Sequence, residues 1–110
     1  MKTFEGKYGP LLIAEIGGNH EGNFEYAKLL TELALESNVD CIKFQIYTGD
    51  TIVNRLVDPD RNLHFKKFEL KIEQYVELAK MVEENGKIFL ASIWNYDIIE
   101  KLNTYLKFIK

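Results

Sequence analysis

A single cysteine, Cys41, stands in 110 residues, so the chain cannot close an internal disulfide. Its thiol lies in an apolar run, which predicts a reduced, buried group and makes the cytoplasm the expected compartment. No stretch approaches the roughly 18 consecutive apolar residues of a membrane-spanning helix. Positive charge is not in surplus: 14 Lys and Arg against 17 Asp and Glu leave a formal net charge of −3. Nothing in that balance draws nucleic acid or an anionic membrane surface, and neither is expected as a partner. Lys66 and Lys67, with Lys71 nearby, are interleaved with Glu69 and Glu73 and read as a solvated approach to a helix. Met1 to Lys7 has no apolar segment and does not read as a signal peptide. Low-complexity stretches and strict repeats are also missing. What remains is 46% hydrophobic and 28% charged, the composition of one globular domain with a modest core.

The apolar residues follow an alternating rhythm. Leu11-Leu12-Ile13-Ala14 is a continuous apolar run ending at Glu15, and a glycine-rich loop, Gly17 to Gly22, follows it. Asn23 is a predicted helix cap with Glu25 in the first turn, where an acid suits the helix dipole. Phe24, Ala27, Leu30 and Ala34, with neighbouring Leu33, give that helix its apolar stripe. Cys41 to Tyr47 alternates as a strand, with Ile42, Phe44 and Ile46 on one face and Lys43 and Gln45 on the other. Thr48 to about Leu70 is less regular. A second helix then buries Ile72, Tyr75, Val76, Ala79 and Val82 and stops at Asn85-Gly86. Ile88 to Ser92 is a third strand, Asn95 caps a short helix to about Asn103, and Tyr105 to Ile109 begins a fourth strand. The order βαβαβαβ with apolar strands implies an α/β fold on a parallel sheet. Both an open doubly wound sheet and the first half of a (β/α)₈ (TIM) barrel fit it, the latter needing ~250 residues to close.

Buried parallel strands are apolar nearly throughout, so the polar residues in these runs need an explanation. Glu15 ends the first strand, Lys43 and Gln45 punctuate the second, Ser92 ends the third, and Lys107 sits in the fourth. Ligands in parallel α/β proteins gather at the carboxyl ends of strands, where most of these residues fall. Lys43 and Gln45 share a face that is either solvent or the inside of a barrel. An inward lysine is costly unless an anion meets it, so Lys43 and Lys107 with Ser92 outline a site for a phosphate or carboxylate. Taken singly, Lys43 reads equally well as a snorkelling strand residue, Ser92 as a helix-entry residue and Glu15 as a solvated strand end. His20 and His64 lack the neighbouring donors of a metal site and read as structural or surface histidines. Tyr47 and Trp94 are rim-packing aromatics at strand exits where a sugar could meet them. The glycine-rich loop lacks the G-x-G-x-x-G spacing of a dinucleotide fingerprint, and no G-x-S-x-G elbow or P-loop lysine is present.

Four of these strings together resemble the sialic acid (N-acetylneuraminate) synthase family, which includes synthases of related nonulosonic acids. Ile13 to Gly22, reading Ile-Ala-Glu-Ile-Gly-Gly-Asn-His-Glu-Gly, is similar to the family's opening strand and loop. Asp40 to Gln45 resembles its second strand, with a Lys-Phe-Gln core. Ile88 to Asn95 resembles its third strand in the variant reading Ser-Val-Trp-Asp, and Leu106 to Ile109 the start of its fourth. The resemblance covers nearly the whole chain.

It implies the N-terminal part of a TIM barrel, about four βα units. It also implies a carbon–carbon bond-forming transferase that condenses phosphoenolpyruvate with an N-acetylated amino sugar and releases phosphate. Lys43 and Lys107 match the lysines that hold phosphoenolpyruvate, with Ser92 beside them. Glu15 matches the acid near the reacting carbons, and Gln45, Asn19 and His20 match positions lining the substrate site. A divalent metal, manganese or magnesium, is implied for the complete enzyme, held by histidines of later strands that this chain does not contain. Full-length members are expected as homodimers with a second half-barrel and a small C-terminal antifreeze-like domain. Ile93 and Lys110 depart from the commoner family residues. With open edges and an unmatched inner face, the 110-residue chain is expected to lack synthase activity by itself. The rival from another class is a non-catalytic α/β module whose lysines bind an anion or whose edges bind a partner.

Overall fold

The computed structural model describes residues 4–110. A short antiparallel hairpin comes first, β1 (Glu5–Gly6) paired with β2 (Gly9–Pro10). Three parallel strands follow, β3 (Ile13–Gly17), β4 (Cys41–Ile46) and β5 (Ile88–Ile93), in the spatial order β3-β4-β5. Asp40 ties the hairpin to the sheet. Its carboxylate accepts from the Lys7 and Leu12 backbone N–H groups at 2.9 and 2.8 Å, which holds its pKa below the usual range, the Leu12 bond contributing most.

The predicted alternation of β4 holds and divides the sheet into two unlike faces. Ile42, Phe44 and Ile46 join Phe89 and Ala91 of β5 in the buried core. Burying an aromatic such as Phe44 is worth about 2–3 kcal/mol. Three helices cover this face: α1 (Phe24–Glu36), α4 (Ile72–Glu84) and α5 (Tyr96–Leu102). They contribute Ala27, Tyr75, Leu78, Ala79, Val82, Ile98 and Leu102 to the same core. The other face carries Glu15, Lys43 and Leu90 in one register row and Gln45 with Ser92 in the next.

The helix starts follow the sequence signals in part. The Asn23 side chain accepts from Tyr26 N–H at 2.9 Å, a working N-cap for α1. Leu33, assigned to that helix's apolar stripe, is instead 56% exposed. The buried stripe runs through Ala27 and Thr31 with Leu35 packed beside it, and Tyr26, Leu29 and Leu33 line the outer side. Asn95 precedes α5 but makes no cap bond, because its side chain is engaged by Thr51 and Thr48 from across the chain.

The stretch from Thr48 to Leu70, read as irregular, contains two helices, α2 (Gly49–Ile52) and α3 (Pro59–Lys67). Asp58 caps α3 by accepting from Arg61 N–H at 3.1 Å, Pro59 opens it, and His64, Lys66 and Lys67 suit the negative end of its dipole. Buried Asn62 donates to Asp50 and to the Val53 carbonyl, joining α3 to α2. The fourth strand is reduced to one parallel bridge between Ala91 and Ile109, with the Lys110 N–H donating to the Ala91 carbonyl. Lys107 is a helix-free, exposed residue just before it.

Candidate active site

Adjacent parallel strands bring Glu15 and Lys43 into register, although 28 residues separate them. The Lys43 ammonium donates to both carboxylate oxygens of Glu15, at 3.0 and 3.1 Å. Gln45, one pleat further along β4, directs its amide nitrogen to the same carboxylate at 3.4 Å. Burial is uneven across the pair: the Lys43 side chain is 11% exposed and that of Glu15 42%. A bulge between Glu15 and Gly17 turns the chain here, and Gly17 adopts φ +59, which favours glycine. A Cβ on Gly17 would stand 3.4 Å from a Glu15 carboxylate oxygen and 3.5 Å from the Gln45 amide carbon.

Two cavities meet at Glu15. One, of about 510 Å³, is largely apolar and is lined by Ile13, Leu90 and Phe108 with Lys43 and Lys110 as its cations. Phe4 of the N-terminal segment lies at its edge, stacked on Phe108 at 5.7 Å between ring centroids. The second, of about 300 Å³, is polar and aromatic, with Asn19, Gln45, Tyr47, His64 and Phe68 around it. The Asn19 side chain donates to the Ile16 carbonyl at 2.7 Å and so pins the loop after β3 beside this cavity. Tyr47 packs edge-on against Phe65 and Trp94, and burial with the nearby Glu69 carboxylate raises its phenol pKa. A larger groove of about 670 Å³ lies between α3, α4 and α5; it shares Tyr47 with the polar cavity but contains none of Glu15, Lys43, Gln45 and Asn19.

Of the residues singled out in the sequence, Glu15, Lys43, Gln45 and Asn19 converge. Ser92 is buried in register with Gln45 but lines neither cavity beside Glu15. His20 turns inward instead of lining the site. It is fully buried and edge-on to Tyr75, its Nδ1 accepts from the Gly22 N–H at 3.0 Å, and its Nε2 has no partner. Burial lowers its pKa. Lys107 is not brought to the cluster. It borders a separate hollow with Glu83, Gly86 and Lys87 at the amino end of β5. The Ala91–Ile109 bridge sets Lys110 level with Ser92, and Lys110 lines the Lys43 cavity.

His64, Phe65 and Phe68 were missed as site residues because their helix was missed. The Asp58-Pro59 pair, a cap followed by a proline at the first helical position, is the signal that finds it. No three His, Cys, Asp or Glu side chains among the described residues converge as a metal shell requires. The carboxylate nearest the cavities, Glu15, is paired with an ammonium and belongs to no such group among the described residues. The described residues do not fit a resident divalent ion.

The pattern of the NeuB family matches residues 30–110. The chain is 31% identical over 103 residues to an N,N'-diacetyllegionaminic acid synthase of Legionella pneumophila, covering 83% of this chain and 29% of that protein. It is 35% identical over 98 residues to the human N-acetylneuraminate-9-phosphate synthase, covering 79% of this chain and 27% of that one. The chain therefore spans less than a third of the length of either relative. A crystal structure of an N-acetylneuraminic acid synthetase from Leptospira borgpetersenii superposes with a TM-score of 0.81 at 20% identity, over 90% of this chain and 34% of that one. That likeness fixes the α/β fold. No helix among the described residues is long and apolar enough to cross a membrane.

Proposed function

The chain belongs to the NeuB family, and on that premise we propose that it forms the phosphoenolpyruvate side of a nonulosonic acid synthase built on a TIM barrel. Three helices on one face of a parallel sheet, with a polar row on the other, support consecutive barrel units over a doubly wound sheet, which carries helices on both faces. The complete reaction joins phosphoenolpyruvate to an open-chain N-acetylated amino sugar. C3 of phosphoenolpyruvate bonds to the aldehyde carbon, whose oxygen takes a proton. Water adds at C2; as the bond from C2 to the phosphate oxygen breaks, the water oxygen becomes the ketone and gives up both protons, one balancing that taken by the aldehyde oxygen and the other leaving with phosphate.

The observation that carries this reading is the Glu15–Lys43 pair standing between two unlike cavities. Lys43 meets the anion of phosphoenolpyruvate, whose methylene carbon suits the apolar wall of Leu90 and Phe108. The second cavity offers amides and aromatic rings, the lining that sugars favour. Glu15 touches both and is placed to hold or pass a proton where the two substrates meet. Ser92 lies in the Gln45 row outside both cavities, and Lys110, which lines the Lys43 cavity, is the second cation of this reading in place of Lys107. The test is titration of the purified chain with phosphoenolpyruvate, followed by NMR. Saturable shifts at Lys43 and Leu90, lost in Lys43→Met, are expected; their persistence in that variant would remove Lys43 from the site.

A further inference from the structure

An ammonium as enclosed as that of Lys43 needs an anion beside it in every state, because an unpaired charge there is costly. Without a ligand, Glu15 supplies that anion, and it does so with both oxygens. Two oxygens on one ammonium is also how an incoming carboxylate or phosphoryl group would sit. The two partners differ in freedom. Lys43 is held by a central strand with its side chain 11% exposed, whereas Glu15 lies on the outer strand of the three with its side chain 42% exposed. Glu15 can therefore leave into water at little cost, and Lys43 cannot follow it. Space for the departure exists on the side of Gly17, where no Cβ intervenes and the Gln45 amide already points at the carboxylate.

We propose that Glu15 is an exchangeable internal occupant of the anion site. A phosphate- or carboxylate-bearing ligand takes its place on Lys43 and drives the Glu15 carboxylate into the aromatic cavity beside Asn19 and Gln45. Repulsion between two anions on one ammonium supplies the drive. Exchange lowers the apparent affinity for the ligand, because each binding event must first break the Glu15–Lys43 pair. It also delivers the carboxylate to the cavity where the second substrate would sit. This deepens the proposed function and rests on Lys43 being the anion-binding residue.

The purified 110-residue chain and its variants can be titrated with inorganic phosphate and with phosphoenolpyruvate, by calorimetry and NMR. Glu15→Gln keeps the shape of the side chain and a carbonyl for Lys43 but removes the competing charge. It should bind both anions about five- to tenfold tighter, the scale of one partly exposed ion pair. In the unsubstituted chain, the Glu15 carboxyl carbon resonance should move saturably with phosphate, a readout that depends on no variant. Equal or weaker binding by Glu15→Gln, or a stationary carboxyl resonance during saturable binding, overturns the exchange and leaves Lys43 in place. Binding that survives Lys43→Met, or no binding by any of the three proteins, overturns the exchange and the anion-site reading together.

Discussion

Lys43 and Glu15 face each other across adjacent parallel strands, yet only the lysine is enclosed, and this asymmetry sets how each responds to removal of the other. Loss of the carboxylate strands an ammonium in an apolar cavity. Loss of the ammonium leaves a carboxylate that water already reaches. Glu15→Ala should therefore cost about 1–3 kcal/mol of stability, between the limits for exposed and buried pairs, and Lys43→Met less than ~1 kcal/mol. Urea denaturation of both variants checks this, and equal losses would mean that the two groups are equally solvated.

Gly22 and Lys67 form the contact that closes the loop after β3 onto α3. Gly22 has φ +77, and a Cβ there would stand 1.9 Å from the Lys67 carbonyl oxygen. Gly22→Ala is expected to cost at least ~2 kcal/mol through left-handed strain and the clash together. It should also shift the resonances of His64 and Phe68, which that contact holds over the aromatic cavity. Gly9→Ala is the control. Its φ is +129 but nothing lies within 4 Å of the added carbon, so it tests backbone strain without the clash. A Gly22→Ala chain as stable as Gly9→Ala would show that α3 moves freely from the loop.

The strands were legible from their apolar runs, and the polar residues within them marked the face that stays out of the core. Lys43 and Gln45 alternating against Ile42, Phe44 and Ile46 fixed both the strand and its two faces, and the register with β5 follows the same alternation. The capping signals at Asn23 and Asn85-Gly86 were also local and readable. What stayed hidden depends on distant partners. His20 has the look of a site residue in a glycine-rich loop, but the Gly22 N–H and the Tyr75 ring draw it into the core. Asn95 looks like a cap, but Thr48 and Thr51 compete for its side chain. The α3 residues lack a continuous apolar stripe, since the helix is held by the hydrogen bonds of Asn62 and by Phe65 against the Tyr47 ring, so periodicity alone passes over it.

Burial of His20 makes the chain acid-sensitive in a defined window. Its folded pKa is lowered from 6.5, so the unfolded chain takes up a proton there before the native state does. The stability tied to neutral His20 is fully present above about 6.5 and falls as pH drops toward the folded value. The melting temperature should decline as pH falls below about 6.5, and His20→Asn, which keeps an acceptor for the Gly22 N–H, should flatten that decline. An equally steep slope in the variant would assign the effect to other groups.

The last prediction concerns which lysine near the chain's end meets the anion. Successive strand residues point to opposite faces, so Lys107 and Lys110, three apart, cannot both face the Lys43 cavity from one extended segment. The Ala91–Ile109 bridge selects Lys110, which then lies level with Ser92 on the polar face. In phosphate titrations, Lys110→Met should weaken binding several-fold and Lys107→Met should leave it nearly unchanged. A slip of one residue in this single bridge exchanges the two faces. It would place Lys107 and Ile109 toward Lys43 and turn Lys110 away, so the opposite ranking of the two variants would report that slip directly. A larger loss in Lys107→Met than in Lys110→Met would return the second cation to the position implied by the family resemblance.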